Sequence, residues 1–238
     1  LVSRRALLGH DAVDDRLVRA ELEGGEGGLG AGGVPPPEGP QHLDAGTAHR
    51  WWTLHVPGML VFPLVGLALA LLRSLGVRPL NWLIIFVVDL FRSLPPLVVI
   101  VLIYFGLPSV DVSPSGFVST WLSLAFVLMA FSEEIFWAGI TSVAKGQWEA
   151  ARSTGLSFGQ TLVSVVLPQA FRLAIPPLTN RTISITKGTA LGTVVAVTEI
   201  LGQASSAMSN SYNPSPLMMG AAAYVVLFLP VVVAGRWV

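Results

Sequence analysis

Polar side chains that could contact a solute are concentrated in one otherwise apolar segment of the sequence, residues 172–200. Charged groups in hydrocarbon are costly, and they usually face a protein interior or water. Asn180, Ser184 and Lys187 follow the i, i+4 and i+7 spacing that brings side chains to one face of a helix. The pattern predicts either a path that contacts a zwitterionic solute or side chains that hydrogen bond between neighbouring helices. Glu134, in the preceding apolar segment, allows the same two interpretations. The polar set in 172–200 also includes Thr179, Thr182, Thr186 and Thr189.

Groups that bind metals or phosphates show no comparable grouping. The chain has no cysteine, which excludes disulfides and thiolate metal sites. A phosphate-binding G-x-x-x-x-G-K-[ST] loop is absent, and "TKGTALG" at 186–192 has neither that spacing nor a preceding soluble strand. We therefore expect no metal site, no cofactor and no catalytic residues. The four histidines all lie at or before the start of the first apolar segment and are not at ligand spacing: His10, His42, His49 and His55.

The composition is typical of an integral membrane protein. Of 238 residues, 53% are hydrophobic and 12% are charged, and the mean hydropathy is +0.68. A helix needs roughly 20 apolar residues to cross a bilayer. Backbone groups in hydrocarbon must be hydrogen bonded internally, and the alternation typical of a β-barrel is missing. The predicted fold is all-α, a polytopic membrane protein with about five transmembrane helices, at 54–72, 82–107, 117–138, 172–200 and 217–236.

The chain divides into two compositional zones. Residues 1–50 contain 8 of the 14 acidic residues and the Gly, Pro and Glu-rich stretch 21–40, which is too polar to form a buried core. We predict a flexible or atypical N-terminal segment at 1–50 and a transmembrane domain at 51–238. Within the second span, "DLFRSLPPL" predicts a kink or a new helix start at Pro95 and Pro96.

Positive charge indicates which connections face the cytoplasm. The connections after the first and third apolar segments carry Lys and Arg, whereas 108–116 and 201–216 carry neither. Because cytoplasmic loops are enriched in these residues, we expect the two basic connections, and with them residues 145–170, to lie on the cytoplasmic side. The residues concerned are Arg73, Arg78, Arg92, Lys145, Arg152 and Arg172.

The stretch "KGQWEAARSTGLSFGQTLVSVVLPQA", residues 145–170, predicts two short helices. Glu149 lies near the positive end of the first, and Gly155 can take the left-handed position that ends it. Ser157 with Gln160 has the spacing of a capping box that opens the second helix. We expect Pro168 to end that helix or to mark the next bend.

Three functions fit a helix, a tight turn and a helix at the membrane surface. The first is an amphipathic linker that lies in the interface. A DNA-reading helix-turn-helix is disfavoured, because no Lys or Arg lies between Arg152 and Arg172 to neutralise phosphates. We therefore expect no nucleic-acid partner. The third is a docking element for a cytoplasmic partner subunit.

The same stretch resembles the "EAA" loop of ABC importer permeases. The similarity rests on Glu149-Ala150-Ala151, then Gly155, then Val165, with Leu167-Pro168 following. Three longer segments resemble the polar amino-acid subfamily: "FRSLPPLVVIVLIYFGLP", "AGITSVAKGQWEAARSTGLS" and "LPQAFRLAIPPLTNRTIS". The resemblance covers about residues 54–203.

The resemblance implies a permease subunit in a bacterial cytoplasmic membrane. Such a subunit pairs with itself or a sister permease, and it works with two cytoplasmic ABC ATPase subunits and an extracytoplasmic amino-acid-binding protein. In that family the EAA loop is a cytoplasmic coupling helix seated in a groove of the ATPase. By position, the docking role falls to Glu149, Ala150, Ala151, Gly155, Leu167 and Pro168, and the substrate path to Glu134, Asn180, Ser184, Lys187 and Thr189.

The chain departs from the family pattern at three positions. Trp137 follows "E-I-F" where Arg is common, and Gly188 and Ala190 replace the Asp and Ser that usually follow Lys187. Two polar groups beside Lys187 are therefore missing. We hypothesise an importer subunit for a polar amino acid, and the alternative is a non-transporting scaffold or regulatory relative that keeps the fold and the docking loop.

Overall fold

The regular structure of this protein is helical throughout the part described. The computed structural model describes residues 61–235, and no strand occurs in that range, which confirms the predicted all-α class. The predicted N-terminal segment 1–50 lies outside the described residues. The helices are α1 Val61–Ser74, α2 Arg78–Ser93, α3 Pro96–Val101, α4 Gly116–Ser142, α5 Lys145–Ser153, α6 Phe158–Thr161, α7 Leu167–Lys187, α8 Ile200–Ser211 and α9 Ser215–Gly235.

Three continuous helical stretches among the described residues are long and apolar enough to cross a membrane: Gly116–Ser142, Phe158–Val195 and Ser215–Gly235. A fourth candidate, Arg78–Ser93 with Pro96–Val110, is bent by 102°. The polytopic prediction is confirmed, and the total of five spans stays a prediction because 54–60, the start of the first segment, lies outside the described residues.

Prolines explain the bend in the second segment. Leu94 and Pro95 are extended, and α3 begins at Pro96. The residue before a proline is driven away from helical angles, and proline itself supplies no backbone donor. The predicted kink at Pro95 and Pro96 is therefore confirmed, and 82–107 is not one straight helix.

The fourth segment differs from the prediction at both ends. It was expected at 172–200, but the helical stretch begins at Phe158, and Pro168 does not end it. Pro168 cannot donate to the carbonyl four residues earlier, and a π turn at Leu162–Val166 takes up the irregularity. At the other end, α8 occupies most of the predicted connection 201–216. Glu199 starts it by accepting hydrogen bonds from the backbone N–H groups of Leu201 and Gly202.

Helix α4 is the central element of the described bundle. It buries residues along its whole length and packs against α2, α3 and α7. At Gly66, on α1, an added Cβ would come within 2.7 Å of the Met129 carbonyl oxygen. At Gly139, on α4, an added Cβ would come within 2.9 Å of the Ala170 carbonyl oxygen. Glycine at these two points lets α1 and α7 approach α4 closely, as in other membrane bundles.

The two basic connections lie at one end of the bundle and the uncharged connections at the other. Arg73, at the end of α1, contacts Glu133, two thirds of the way along α4. Ala70, in the preceding turn of α1, shares a buried cluster with Val143, which follows α4. At the opposite end, Gly116 touches Val195, so that 111–115 and 196–199 are neighbours. This arrangement is the one that the charge-based orientation requires.

Candidate functional site

A cavity beside the middle of α4 is the first part of the candidate site. Its volume is about 320 Å³, which falls in the range of small-molecule pockets. The kink between α2 and α3 forms one wall, α4 the second and α7 the third. Its lining residues are Arg92, Ser93, Leu94, Pro95, Pro96, Leu124, Val127, Phe131, Arg181, Ser184, Ile185 and Gly188.

Arg92 joins the kinked wall to α4. Its guanidinium lies 2.6 Å from the Glu134 carboxylate and 3.3 Å from Asp89, one turn earlier on α2. The Nε atom of Arg92 is buried and has no hydrogen-bond partner among the described residues. Because an unpaired buried donor is costly, Arg92 has capacity for one more acceptor.

Arg181 faces the same cavity from α7. Its guanidinium carbon lies 3.2 Å from the ring centroid of Phe131, a stacked cation–π contact. Within residues 61–235 no carboxylate forms an ion pair with Arg181. The cavity therefore contains a guanidinium that lies against an aromatic ring and forms no ion pair with a described carboxylate, while Glu134 is close enough to offset part of its charge.

The kink leaves two backbone carbonyls near this wall without their usual helical donors. Pro95 and Pro96 have no N–H, so they cannot bond the carbonyls four residues earlier, those of Phe91 and Arg92. An ammonium group is a donor that such carbonyls can accept. The cavity thus presents guanidinium donors, which are complementary to the carboxylate of a zwitterion.

Of the residues predicted for a substrate path, the structure brings two to this cavity. Ser184 lines it, and Glu134 borders it through Arg92. Asn180, Ser184 and Lys187 are all exposed on one face of α7, as their spacing predicted. Lys187 lies farther along, with its ammonium 6.0 Å from the Phe228 ring centroid on α9. Thr189 lies in the 3₁₀ segment Gly188–Val195 that continues α7.

Hydroxyl groups of this region bond mainly within their own chain segment. Thr179 donates to the Ile175 carbonyl and Thr182 to the Leu178 carbonyl, each 2.9 Å away. Thr189 donates to Thr186 at 2.8 Å. These bonds return to the preceding helical turn, so they do not hold neighbouring helices together. The interpretation as hydrogen bonds between helices is not supported for these three hydroxyls.

The second part of the site is the pair of short helices α5 and α6. Helix α5 ends at Ser153, and Gly155 takes the left-handed position with φ +90°. The capping box is present: Gln160 N–H donates to the Ser157 hydroxyl, and Ser157 N–H donates to the Gln160 side-chain oxygen. Both predictions are confirmed. Glu149 lies in the second turn of α5 rather than at its positive end, because α5 begins at Lys145.

The residues predicted to dock a partner differ in exposure. Glu149, Ala150, Gly155 and Pro168 are exposed, Leu167 is half-buried and Ala151 is buried. An added Cβ at Gly155 would meet no atom within 4 Å, so its backbone angle rather than its surroundings requires glycine. Glu149, Ala150 and Gly155 therefore form an exposed strip, hereafter the α5 strip, while Ala151 attaches α5 to the protein.

Aromatic and ionic contacts tie α5 to the bundle. Trp148 stacks on Phe158, with ring centroids 5.5 Å apart, and it packs against a buried cluster shared by α1, α4 and α7. On the flank of this cluster, Arg73 pairs with the fully buried Glu133 at 3.0 Å and lies 4.4 Å from the Trp137 ring centroid. Trp137 therefore fills a structural role where the family pattern has a positive charge, since an arginine there would repel Arg73.

Sequence reasoning missed the two arginines of the cavity. Arg92 was assigned to the basic connection after the first apolar segment, and Arg181 was not among the residues predicted for a substrate path. The sequence did contain a signal, because each arginine lies within a few residues of a proline pair. Arg92 precedes Pro95-Pro96, and Arg181 follows Pro176-Pro177. Charges beside broken helices in a membrane are typical of functional sites.

Comparison with known proteins adds independent findings. Residues 63–238 match the family described as "Binding-protein-dependent transport system inner membrane component". A probable glutamine ABC transporter permease protein of Bacillus subtilis (strain 168) is 35% identical over 167 residues, which are 70% of this chain and 77% of that protein. The L-cystine transport system permease protein of the same organism is 37% identical over 153 residues, 63% of this chain and 65% of that protein.

A solved structure agrees with these sequence matches. The crystal structure of an amino acid ABC transporter with histidines is similar, with a TM-score of 0.63 and 26% identity. The match covers 83% of this chain and 98% of that one. The fold, and not only the local motifs, is therefore similar to that of ABC transporter membrane subunits.

Proposed function

Because this chain belongs to the family of binding-protein-dependent transport system inner membrane components, we propose that it is the permease subunit of an ABC importer for a polar amino acid. The relatives described above are a probable glutamine ABC transporter permease and an L-cystine transport system permease, which supports this class of solute. The observation that carries the proposal is the cavity beside α4, whose guanidinium groups match the carboxylate of a zwitterion. The subunit would bind no ATP itself and would depend on a separate ATPase.

Transport requires the ATPase to move the membrane helices. We assign docking to the α5 strip, with Leu167 and Pro168 at the start of α7 as the hinge behind it. Movement of α5 would pass through Trp148 and Phe158 to the buried cluster that joins α1, α4 and α7. Since α7 carries Arg181 and Ser184, the same motion would open or close the cavity.

Docking can be tested by cross-linking, because the chain contains no cysteine. An Ala150→Cys variant should form a disulfide with a cysteine in the docking groove of the cognate ATPase. Ala151→Cys is the matched control, because Ala151 is only 7% exposed and faces the protein's own core. Cross-linking at position 151 and none at 150 would contradict the assigned face of α5.

A paired measurement of uptake and ATP hydrolysis tests the whole proposal. The permease, its ATPase and its binding protein are reconstituted in proteoliposomes, and labelled glutamine is supplied on the side of the binding protein. We expect ATP-dependent accumulation together with solute-stimulated hydrolysis. Hydrolysis stimulated by the solute without accumulation would instead identify a scaffold or regulatory subunit that has lost the path.

A further inference from the structure

The 3₁₀ segment Gly188–Val195 lies against the third of α4 that is nearest the uncharged end of the bundle. At Gly188 an added Cβ would come within 3.2 Å of the Leu124 side chain, and at Gly192 within 3.2 Å of the Thr120 hydroxyl oxygen. Glycine at these two positions lets the segment approach α4 so closely that no side chain fits between them. Because Gly188 also lines the cavity, the segment begins at the cavity and runs toward the extracytoplasmic end.

A buried apolar cluster lies at the far end of this segment. Ile100 of α3 is fully buried there, together with Val195 and Val197. Tyr104 packs against the same cluster, and the Val195 carbonyl touches Gly116, the first residue of α4. The segment, α3 and α4 therefore meet in an apolar contact between the cavity and the extracytoplasmic end of the bundle.

The turn that follows the segment has an unfavourable backbone angle. Ala196 has a φ of +59°, in the left-handed region where a Cβ is strained. Its N–H donates to the Thr193 carbonyl at 3.1 Å, and the Val197 N–H donates to the Gly192 carbonyl at 3.0 Å. Strained angles of this kind persist only where surrounding contacts hold them. The position of the segment therefore depends on contacts from other elements.

Glu199 supplies such contacts in three directions. Its half-buried carboxylate accepts hydrogen bonds from the Thr193 hydroxyl, from the first backbone N–H groups of α8, and from the Tyr224 hydroxyl on α9. The bond from Tyr224 is 2.8 Å long. Hydrogen bonds to an ionised carboxylate are stronger than those between neutral groups. One carboxylate thus ties the 3₁₀ segment to both α8 and α9.

We propose that Gly188–Val195 is the extracytoplasmic gate of the cavity, and that Glu199 is a positioning residue that latches the gate shut through Thr193 and Tyr224. The proposal rests on the proposed function, in which a solute reaches the cavity from that side. Opening would move the segment away from α4, so it would break the bonds that Glu199 makes across it. Glu199 acts through the segment and not by contact with the solute.

A weaker latch should have two effects. The gate should open more often without nucleotide, because the closed state loses contacts that the open state lacks. Coupling between two sites is reciprocal. If ATP binding by the docked ATPase favours the open gate, a gate that opens more easily should favour the ATP-bound state. Hydrolysis in the absence of the binding protein should therefore rise as well.

Labelling of Ser184→Cys by a membrane-impermeant thiol reagent measures the opening, because Ser184 is exposed in the cavity and the chain has no cysteine. Tyr224→Phe removes the hydroxyl but keeps the ring that stacks on Phe228. In proteoliposomes of the full transporter without nucleotide, we expect labelling from the extracytoplasmic side to become about tenfold faster in this variant. Thr193→Val should act in the same direction, because it removes the bond on the other side of the carboxylate.

Tyr212→Phe is the matched control. Tyr212 lies at the end of α8, on the same side of the bundle, and is 96% exposed. Loss of its hydroxyl should leave labelling and hydrolysis at native values. A merely structural role for the Glu199 bonds would lower the unfolding temperature of Tyr224→Phe without exposing position 184 to the extracytoplasmic side.

The contrary outcomes separate the latch from the importer assignment. If position 184 changes sides with nucleotide, but Tyr224→Phe and Thr193→Val label as slowly as Tyr212→Phe from the extracytoplasmic side, the latch is overturned and the importer assignment stands. If position 184 does not change sides when the latch residues are native, the path through the cavity is overturned, and the gate with it.

Discussion

A substitution at Gly155 tests most directly whether the α5 strip docks the ATPase. The Gly155 φ of +90° is in the left-handed region, where an L residue with a Cβ is strained by about 1–2 kcal/mol. A β-branched residue such as Val is among the poorest fits there. Because nothing lies within 4 Å of the Cβ position, a clash does not contribute, and the backbone strain is the whole expected cost of Gly155→Val.

That strain converts into a measurable loss of coupling. A penalty of about 1–2 kcal/mol reduces the population of the native turn relative to alternatives by about 5- to 30-fold. We therefore expect ATP-driven uptake in proteoliposomes to fall by a similar factor, while membrane insertion and the amount of folded protein stay unchanged. Gly155→Asn should recover much of the uptake, since Asn tolerates left-handed angles better than Val does.

Gly106 offers a matched control for the substitution itself. It also has open space around its Cβ position, but its φ is −84° and it lies in the π turn after α3. Gly106→Val should transport at the native rate, because a β-branched residue adopts these angles readily. Native uptake in Gly155→Val, or an equal loss in both variants, would refute the reasoning.

Two further predictions concern stability. Arg73→Ala should lower the stability of the detergent-purified protein by about 3 kcal/mol in a thermal unfolding assay, because the substitution leaves the fully buried Glu133 carboxylate without its partner. The control Arg78→Ala, at an exposed site, should cost less than about 0.5 kcal/mol in the same assay. Burial alone would raise the pKa of Glu199, but hydrogen bonds from Thr193, the Leu201 backbone, Tyr224 and the Gly202 backbone hold that pKa below its ordinary value. The carboxylate therefore contributes stability that is present above its pKa in the unfolded chain and is lost as the pH falls through its pKa in the folded protein. The native protein should be more stable than Glu199→Gln at neutral pH, and this difference should shrink below about pH 4. A difference that does not change with pH would contradict the prediction.

Local chemistry was readable from the sequence where it depends on neighbouring residues. The turn at Gly155 and the capping box of Ser157 with Gln160 follow from backbone angles and short-range hydrogen bonds, and both were predicted correctly. The bend at Pro95 and Pro96 was predictable for the same reason. Each of these features is determined within about five residues.

Features that depend on distant contacts were not readable in this way. The helix runs past Pro168 because a π turn forms where Leu162 and Val166 pack into the core. Helix α8 was missed because Glu199 caps it, and that carboxylate also accepts from Tyr224, 25 residues later. The cavity was not predicted because Arg92 and Arg181 are far apart in the sequence. Both contact the Phe131 ring only once the helices have packed together.

The central claim is that ATP binding by the ATPase docked on the α5 strip changes access to the cavity beside α4. Ser184→Cys tests it directly, since Ser184 is exposed in the cavity and the chain has no other thiol. In proteoliposomes of the full transporter, a membrane-impermeant thiol reagent should label position 184 from one side without nucleotide and from the opposite side with trapped ATP. Labelling from the same side in both states would contradict the account.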